Sequence, residues 1–266
     1  MPTIELADIR VHFQRKGSGE RLLFFPDSIL TSSAYQNEID HFSKRFEVIT
    51  FDYPGTGKST HERKYPDEQL VDYWGFWADL ACHLLMALEI KQCFVIGVAG
   101  GALTALHFAG KQAQLHQIRT QGLILDSFMA NWDTRTLHRW LDVREHFYVR
   151  NQENLLRQHG EDWRQVVDAD TIFLRQLADH GGYVIPVSIL NNVPCPTFLT
   201  GHQEDPVLPG IAEEYAHLSA LIPDCSLYLS SKSNHPYIER PFMWSDTRTF
   251  RRMTDIFMDQ VKDKPE

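Results

Sequence analysis

The sequence predicts an α/β domain: a mostly parallel sheet with helices on both faces. Three observations carry that expectation. Short β-branched and aromatic runs bounded by turn residues recur along the chain, and stretches with apolar residues at helical spacing lie between them. At 266 residues, 43% of them hydrophobic, the chain also has enough apolar side chain to close a core around such a sheet. Strands that alternate with helices are joined by crossovers, which leave neighbouring strands parallel and both sheet faces covered. One domain is expected over residues 1–266.

The strand runs are Arg21–Phe25, Glu47–Phe51, Cys93–Gly97, Gly122–Leu125, Pro196–Thr200 and Ser226–Leu229. The helical stretches are Ala34–Lys44, Asp72–Leu88, Gly101–Gln112, Ile211–Leu221 and Ser245–Val261. Between about 131 and 189 the rhythm breaks. Trp132, Trp140, Phe147, Tyr148 and Trp163 stand at helical spacing with no strand signal, so a helical lid inserted over one end of the sheet is expected. Because ligands in open parallel sheets bind beyond the carboxyl ends of the strands, the chemistry belongs in the turns that follow the strands.

Composition narrows the partners. A net charge of −9 disfavours nucleic acid and anionic membrane surfaces, which reward clustered Lys and Arg. Cys82, Cys93, Cys195 and Cys225 form no C-x-x-C pair, and no H-E-x-x-H or tight His/Asp grouping appears, so neither a metal nor a cofactor is expected. Residues 1–10 lack the basic and apolar blocks of a secretory signal, and a cytoplasmic location is expected. The charge-poor stretch Cys93–Gly110 contains Gly100-Gly101 and His107, which favours a buried strand-turn-helix over a membrane span.

After the third strand run the chain reads Gly97-Val98-Ala99-Gly100-Gly101, the nucleophile elbow G-x-S-x-G with alanine at its centre. The glycines of that motif let a strained residue sit on a tight strand-to-helix turn. Gly55-Thr56-Gly57-Lys58-Ser59 imitates the end of a phosphate-binding loop. There, however, Asp52 occupies the place of the required first glycine, and the polar, proline-ended segment His61–Pro66 supplies no helix.

With Asp52-Tyr53-Pro54-Gly55-Thr56-Gly57-Lys58-Ser59 and the elbow in place, the chain resembles the α/β-hydrolase family, in which D-x-P-G-x-G-x-S follows a central strand. The resemblance runs from about Arg21 to Met258, and residues 100–106 and the terminal half are similar to valacyclovir-hydrolase-like and proline-iminopeptidase-like enzymes. It implies a triad of residue 99, an acid in the turn after Thr200, and His235 in Asn234-His235-Pro236. Asp205 is the candidate acid. The family spacing from glycine is G-x-x-D, whereas three residues separate Gly201 from Asp205, so Glu204 stays open.

The same resemblance implies an oxyanion hole from the backbone N–H of Gly100 and of Ser28, in a turn reading Pro26-Asp27-Ser28 where the family has His-Gly or Pro-Gly. A serine at position 99 would attack an acyl carbon of a carboxylic ester, thioester or lactone, with His235 as base and Asp205 orienting it. The substrate is expected to be a small acyl molecule lodged against Trp132, Trp140, Phe147 and Tyr148.

Ala99 has no hydroxyl, so the chain as written is expected to be inactive by that route. A Ser→Ala exchange made to trap a substrate would leave just such a site. The alternatives are a naturally serine-less lyase, cyclase or cofactor-free oxygenase using His235 as base, or a ligand-binding protein without catalysis.

Overall fold

The computed structural model describes residues 2–6, 9–60, 72–231 and 247–263. Along the chain the elements are β1 (Thr3–Leu6), β2 (Ile9–Lys16), β3 (Glu20–Phe25), α1 (Gln36–Phe42), β4 (Phe46–Phe51), α2 (Tyr73–Ala87), β5 (Gln92–Val98), α3 (Gly100–His107), α4 (Ala113–Leu115) and β6 (Arg119–Asp126). There follow β7 (Asn131–Asp133), α5 (Thr134–Arg150), α6 (Gln152–His159), α7 (Trp163–Asp179), β8 (Gly182–Val184), α8 (Val187–Asn191), β9 (Thr197–His202), α9 (Ile211–Leu221), β10 (Cys225–Ser230) and α10 (Thr247–Asp263).

Eight strands form one sheet in the order β1-β2-β4-β3-β5-β6-β9-β10. Every pairing from β4 to β10 is parallel, while β1 and β2 join antiparallel at one edge. All six strand runs expected from the sequence are present. The sequence reading passed over β1 and β2, although Ile9, Val11 and Phe13 alternate inward along β2. It also missed the small antiparallel sheet of β7 and β8, because three-residue strands carry no periodicity of their own.

Alternation along the parallel strands splits the core in two. Leu23, Phe25, Val95, Leu123 and Leu199 face α2 and α3, whereas Leu22, Phe24, Ile96, Ile124 and Phe198 face α1 and α10. Strands buried on both faces read as unbroken apolar runs, which is why they were legible. The stretch expected as Gly101–Gln112 begins as α3 and passes into a π-helical turn over Phe108–Gln112.

Helices α5, α6 and α7 fill most of the region after β6, and they feed both cores: Leu137 and Phe173 enter one, Tyr148 and Leu155 the other. Cys82, Cys93 and Cys195 are buried free thiols. Among the described residues no helix is long and apolar enough to cross a membrane.

Candidate active site

Strand order reverses between β3 and β5: the chain runs to β4 on one side of β3 and to β5 on the other. Phe25 pairs with Gly97 across that junction, so the turns leaving β3 and β5 meet at the carboxyl edge. A crevice at such a switch point is where this class of sheet binds ligands.

The turn after β5 has the geometry the sequence motif implies. Ala99 stands at φ 50°, ψ −119° between β5 and α3, a conformation that side-chain-bearing residues rarely adopt. The neighbouring glycines are required by close approach. A Cβ on Gly97 would lie 2.6 Å from the Gly101 carbonyl oxygen, and one on Gly101 would lie 2.2 Å from that of Pro26. The backbone N–H of Ala99 donates to the Asp126 carbonyl (2.9 Å), tying the elbow to β6.

The turn after β3 brings the two expected oxyanion donors together. Ser28 N–H and Gly100 N–H both donate to one atom, Oδ1 of Asp27, at 2.8 and 3.1 Å. The sequence pointed to these two N–H groups as expected oxyanion donors but carried no sign of this acceptor.

The same turn is held from behind by Asp52. Its Oδ1 accepts from the Ser32 N–H (3.0 Å) and hydroxyl (2.9 Å), and its Oδ2 contacts His12 Nδ1 (3.1 Å) and accepts from Lys58 N–H (3.1 Å). Burial pushes this carboxyl up, and the hydrogen bonds from His12, Ser32 and Lys58 outweigh it, holding Asp52 below the ordinary carboxylate range. In D-x-P-G-x-G-x-S, then, the aspartate is a structural clamp and Ser59 closes the loop by donating to the Asp52 carbonyl (2.6 Å).

The end of α6 locks onto the β3 turn. His159 Nδ1 accepts from Gly57 N–H (3.0 Å), which leaves Nε2–H to donate to the Ile29 carbonyl (3.0 Å). Gln158 accepts from Thr31 N–H (2.9 Å).

A single cavity collects these parts. Ala99, Gly100, Asp27 and Ser28 line it together with Trp132, Trp140, Phe147 and Tyr148, the four aromatic residues singled out from sequence. A buried ion pair the sequence did not reveal, Arg144 to Asp170 at 2.7 Å, supports this wall. The Arg144 guanidinium lies over Trp140 (5.8 Å) and Tyr148 (5.0 Å), fixing both rings.

Of the two candidate acids, Asp205 is buried and Glu204 exposed. Asp205 Oδ1 accepts from Val207 N–H (2.8 Å) and Leu208 N–H (2.9 Å), which shapes the β9–α9 turn. His235 and its neighbours Asn234 and Pro236 lie outside the described residues, as does His61–Pro66.

Two residues at the end of β6 escaped sequence reading. Asp126 is fully buried and accepts from the Thr200 hydroxyl (2.8 Å), and Ser127, at φ 51°, lines the cavity. No motif marks either, though a lone carboxylate closing the run Gly122–Asp126 was a visible anomaly.

The expectation that no tight His/Asp grouping exists needs correcting. Asp79, His83 and His116 bring one ligand atom each within 4.8 Å, across the contact of α2 with the end of α4. Separation along the chain hid the grouping, and none of the three lines the cavity.

Comparison with known proteins agrees with this architecture. Human serine hydrolase BPHL is 23% identical over 215 residues, covering 79% of this chain and 72% of its own. The (E)-2-((N-methylformamido)methylene)succinate hydrolase of Acinetobacter baylyi is 34% identical over 102 residues, 38% of this chain and 36% of its own. Among solved structures, a meta-cleavage product hydrolase from Pseudomonas fluorescens, in a serine-to-alanine form complexed with acetates, superposes with a TM-score of 0.72 at 18% identity, covering 98% of each chain. A bacterial membrane phospholipase A superposes with a TM-score of 0.73 at 16% identity, covering 99% of this chain and 86% of its own. The family model described as the alpha/beta hydrolase family matches residues 22–242, most of the chain, and the chain belongs to that family.

Proposed function

We propose that the cavity is an acyl-hydrolysis site for a small carboxylic ester, thioester or lactone, built around a nucleophile position that this chain fills with Ala99. The elbow carries the reading. Ala99 holds a backbone conformation that costs about 1 to 3 kcal/mol, and a methyl group gains nothing from being held there.

On this reading a serine at position 99 would attack the acyl carbon, His235 would take its proton, and Asp205 would orient the imidazole. Gly100 and Ser28 N–H groups would receive the oxyanion. Helices α5 to α7 act as a lid whose aromatic residues hold the apolar part of the substrate. The relatives' names, a serine hydrolase and a succinate hydrolase, support hydrolysis as the reaction class. The reading includes no cofactor and no metal; its setting is the cytoplasm, and the acidic balance argues against nucleic-acid or membrane partners.

The chain with Ala99 forms no acyl-enzyme there, since losing a triad serine costs on the order of 10⁶ in turnover. An engineered Ser→Ala exchange accounts for the retained elbow. The position of Asp27 on both oxyanion donors favours a second reading, in which the protein is naturally serine-less and either uses His235 as a general base or binds a ligand without turnover.

The test is fluorophosphonate labelling followed by intact-mass and peptide mapping. The unaltered chain should stay unlabelled, and Ala99→Ser, alone or combined with Asp27→Ala, should carry the adduct on the peptide containing position 99. Failure of both folded variants to label, or an adduct elsewhere such as on Ser127, would overturn the proposal.

A further inference from the structure

We infer that Asp27 rests its own carboxylate on the expected oxyanion donors and thereby turns an anion-binding site into one that disfavours carboxylate ligands. The inference deepens the reading of the cavity given above and rests on its assignment of Ser28 and Gly100 as the oxyanion donors.

The geometry is specific. Ser28 N–H and Gly100 N–H converge on a single oxygen, at 2.8 and 3.1 Å, which is the spacing that charge-assisted N–H donors keep to an oxyanion. Gly100 is the first residue of α3, so the helix dipole adds to the attraction for a negative atom at this point. The carboxylate already supplies that atom.

The two turns pack closely at this point. A Cβ on Gly100 would come within 2.0 Å of the Ser28 hydroxyl oxygen and 3.0 Å of Asp27 Oδ1, so the two turns are in contact. The β3 turn behind is pinned by Asp52 through Ser32 and by His159 through Ile29.

An incoming carboxylate therefore meets occupied donors and a like charge beside them. Asp27 and Asp170 are the two carboxylates among the described cavity-lining residues, and Asp27 is the one that holds the Ser28 and Gly100 N–H groups. A neutral ligand of the same shape packs on the aromatic wall without needing those N–H donors. Residue 27, then, decides which head group the pocket accepts, independently of whether residue 99 carries a hydroxyl.

The experiment needs no serine. Affinities of 4-phenylbutyrate and of the equally long, neutral 4-phenylbutan-1-ol are measured by calorimetry on the unaltered chain, on Asp27→Ala and on Asp27→Asn. The unaltered chain should prefer the alcohol by tenfold or more. Asp27→Ala should gain at least tenfold for the carboxylate while the alcohol changes less than threefold. Asp27→Asn keeps a carbonyl oxygen in the hole and should gain less than Asp27→Ala.

A carboxylate affinity unchanged within twofold in Asp27→Ala, or an equal gain in Asp27→Asn, would overturn the inference. Should Asp27→Ala not fold, a crystal of the unaltered chain soaked in 4-phenylbutyrate decides: Asp27 on both N–H groups supports it, and the ligand carboxylate there overturns it. Failure of position 99 to label would leave this binding result intact, so the two proposals fail separately.

Discussion

The two turns that meet at the switch point differ in what they carry. The turn after β5 keeps the backbone of a nucleophile elbow, with Ala99 at φ 50° and glycines packed too closely for any Cβ, but has no reactive atom at its tip. The turn after β3 carries a carboxylate, Asp27, lodged on the two N–H groups proposed above as oxyanion donors. Backbone geometry is imposed by strand pairing and close packing, whatever side chain stands at the tip of the turn. Chemistry resides in one or two side-chain atoms, which packing does not dictate.

Breaking the scaffold common to both turns should have the largest effect. Asp52→Ala removes the acceptor of four hydrogen bonds and leaves His12 buried without its carboxylate, and it should cost about 3 to 5 kcal/mol in urea unfolding. A loss under about 1 kcal/mol would mean that Asp52 does not hold the β3 turn.

Next is the far end of the elbow helix. His107 shares a 2.5 Å hydrogen bond with Tyr183 and faces Asp72 and Lys111, and its burial lowers its pKa from 6.5 to about 4 against the opposing pull of Asp72. Between those values the unfolded chain binds the extra proton. The contribution is therefore complete above pH 6.5 and is lost as pH falls towards 4, by about 3 kcal/mol in all. Unfolding curves at pH 7 and pH 4.5 should show the unaltered chain losing more stability than His107→Gln; equal losses would contradict this.

The smallest expected effect sharpens the comparison at the elbow itself. Ala99→Gly should raise stability by about 1 kcal/mol, because glycine adopts positive φ without the steric cost. The same exchange at Ala102, inside α3, should lower stability by about 1 kcal/mol. A melting-temperature shift of the same sign in both variants would remove the case for strain at position 99.

Much of this was legible in the sequence because it rests on local rules. The parallel strands announced themselves as apolar runs, and the elbow as glycines around a strand-to-helix turn. The aromatic wall was legible because Phe147 and Tyr148 follow Trp140 by about two helical turns on α5. What stayed hidden depends on distances across the fold. That Asp27 turns back onto Gly100 follows from β3 lying beside β5, and that Asp79 meets His116 follows from the packing of α2 against α4. Asp126 and the Arg144–Asp170 pair belong to no spacing pattern, since their partners come from other elements.

The account is tested most directly by the rate of p-nitrophenyl butyrate hydrolysis in Ala99→Ser and in Ala99→Ser/Asp27→Ala. The double variant should be faster by about 10² to 10³, the worth of a working oxyanion donor, with the unaltered chain at the rate of buffer. A single variant as fast as the double would contradict the filled oxyanion hole, and two folded variants no faster than buffer would contradict the acyl-hydrolysis site itself.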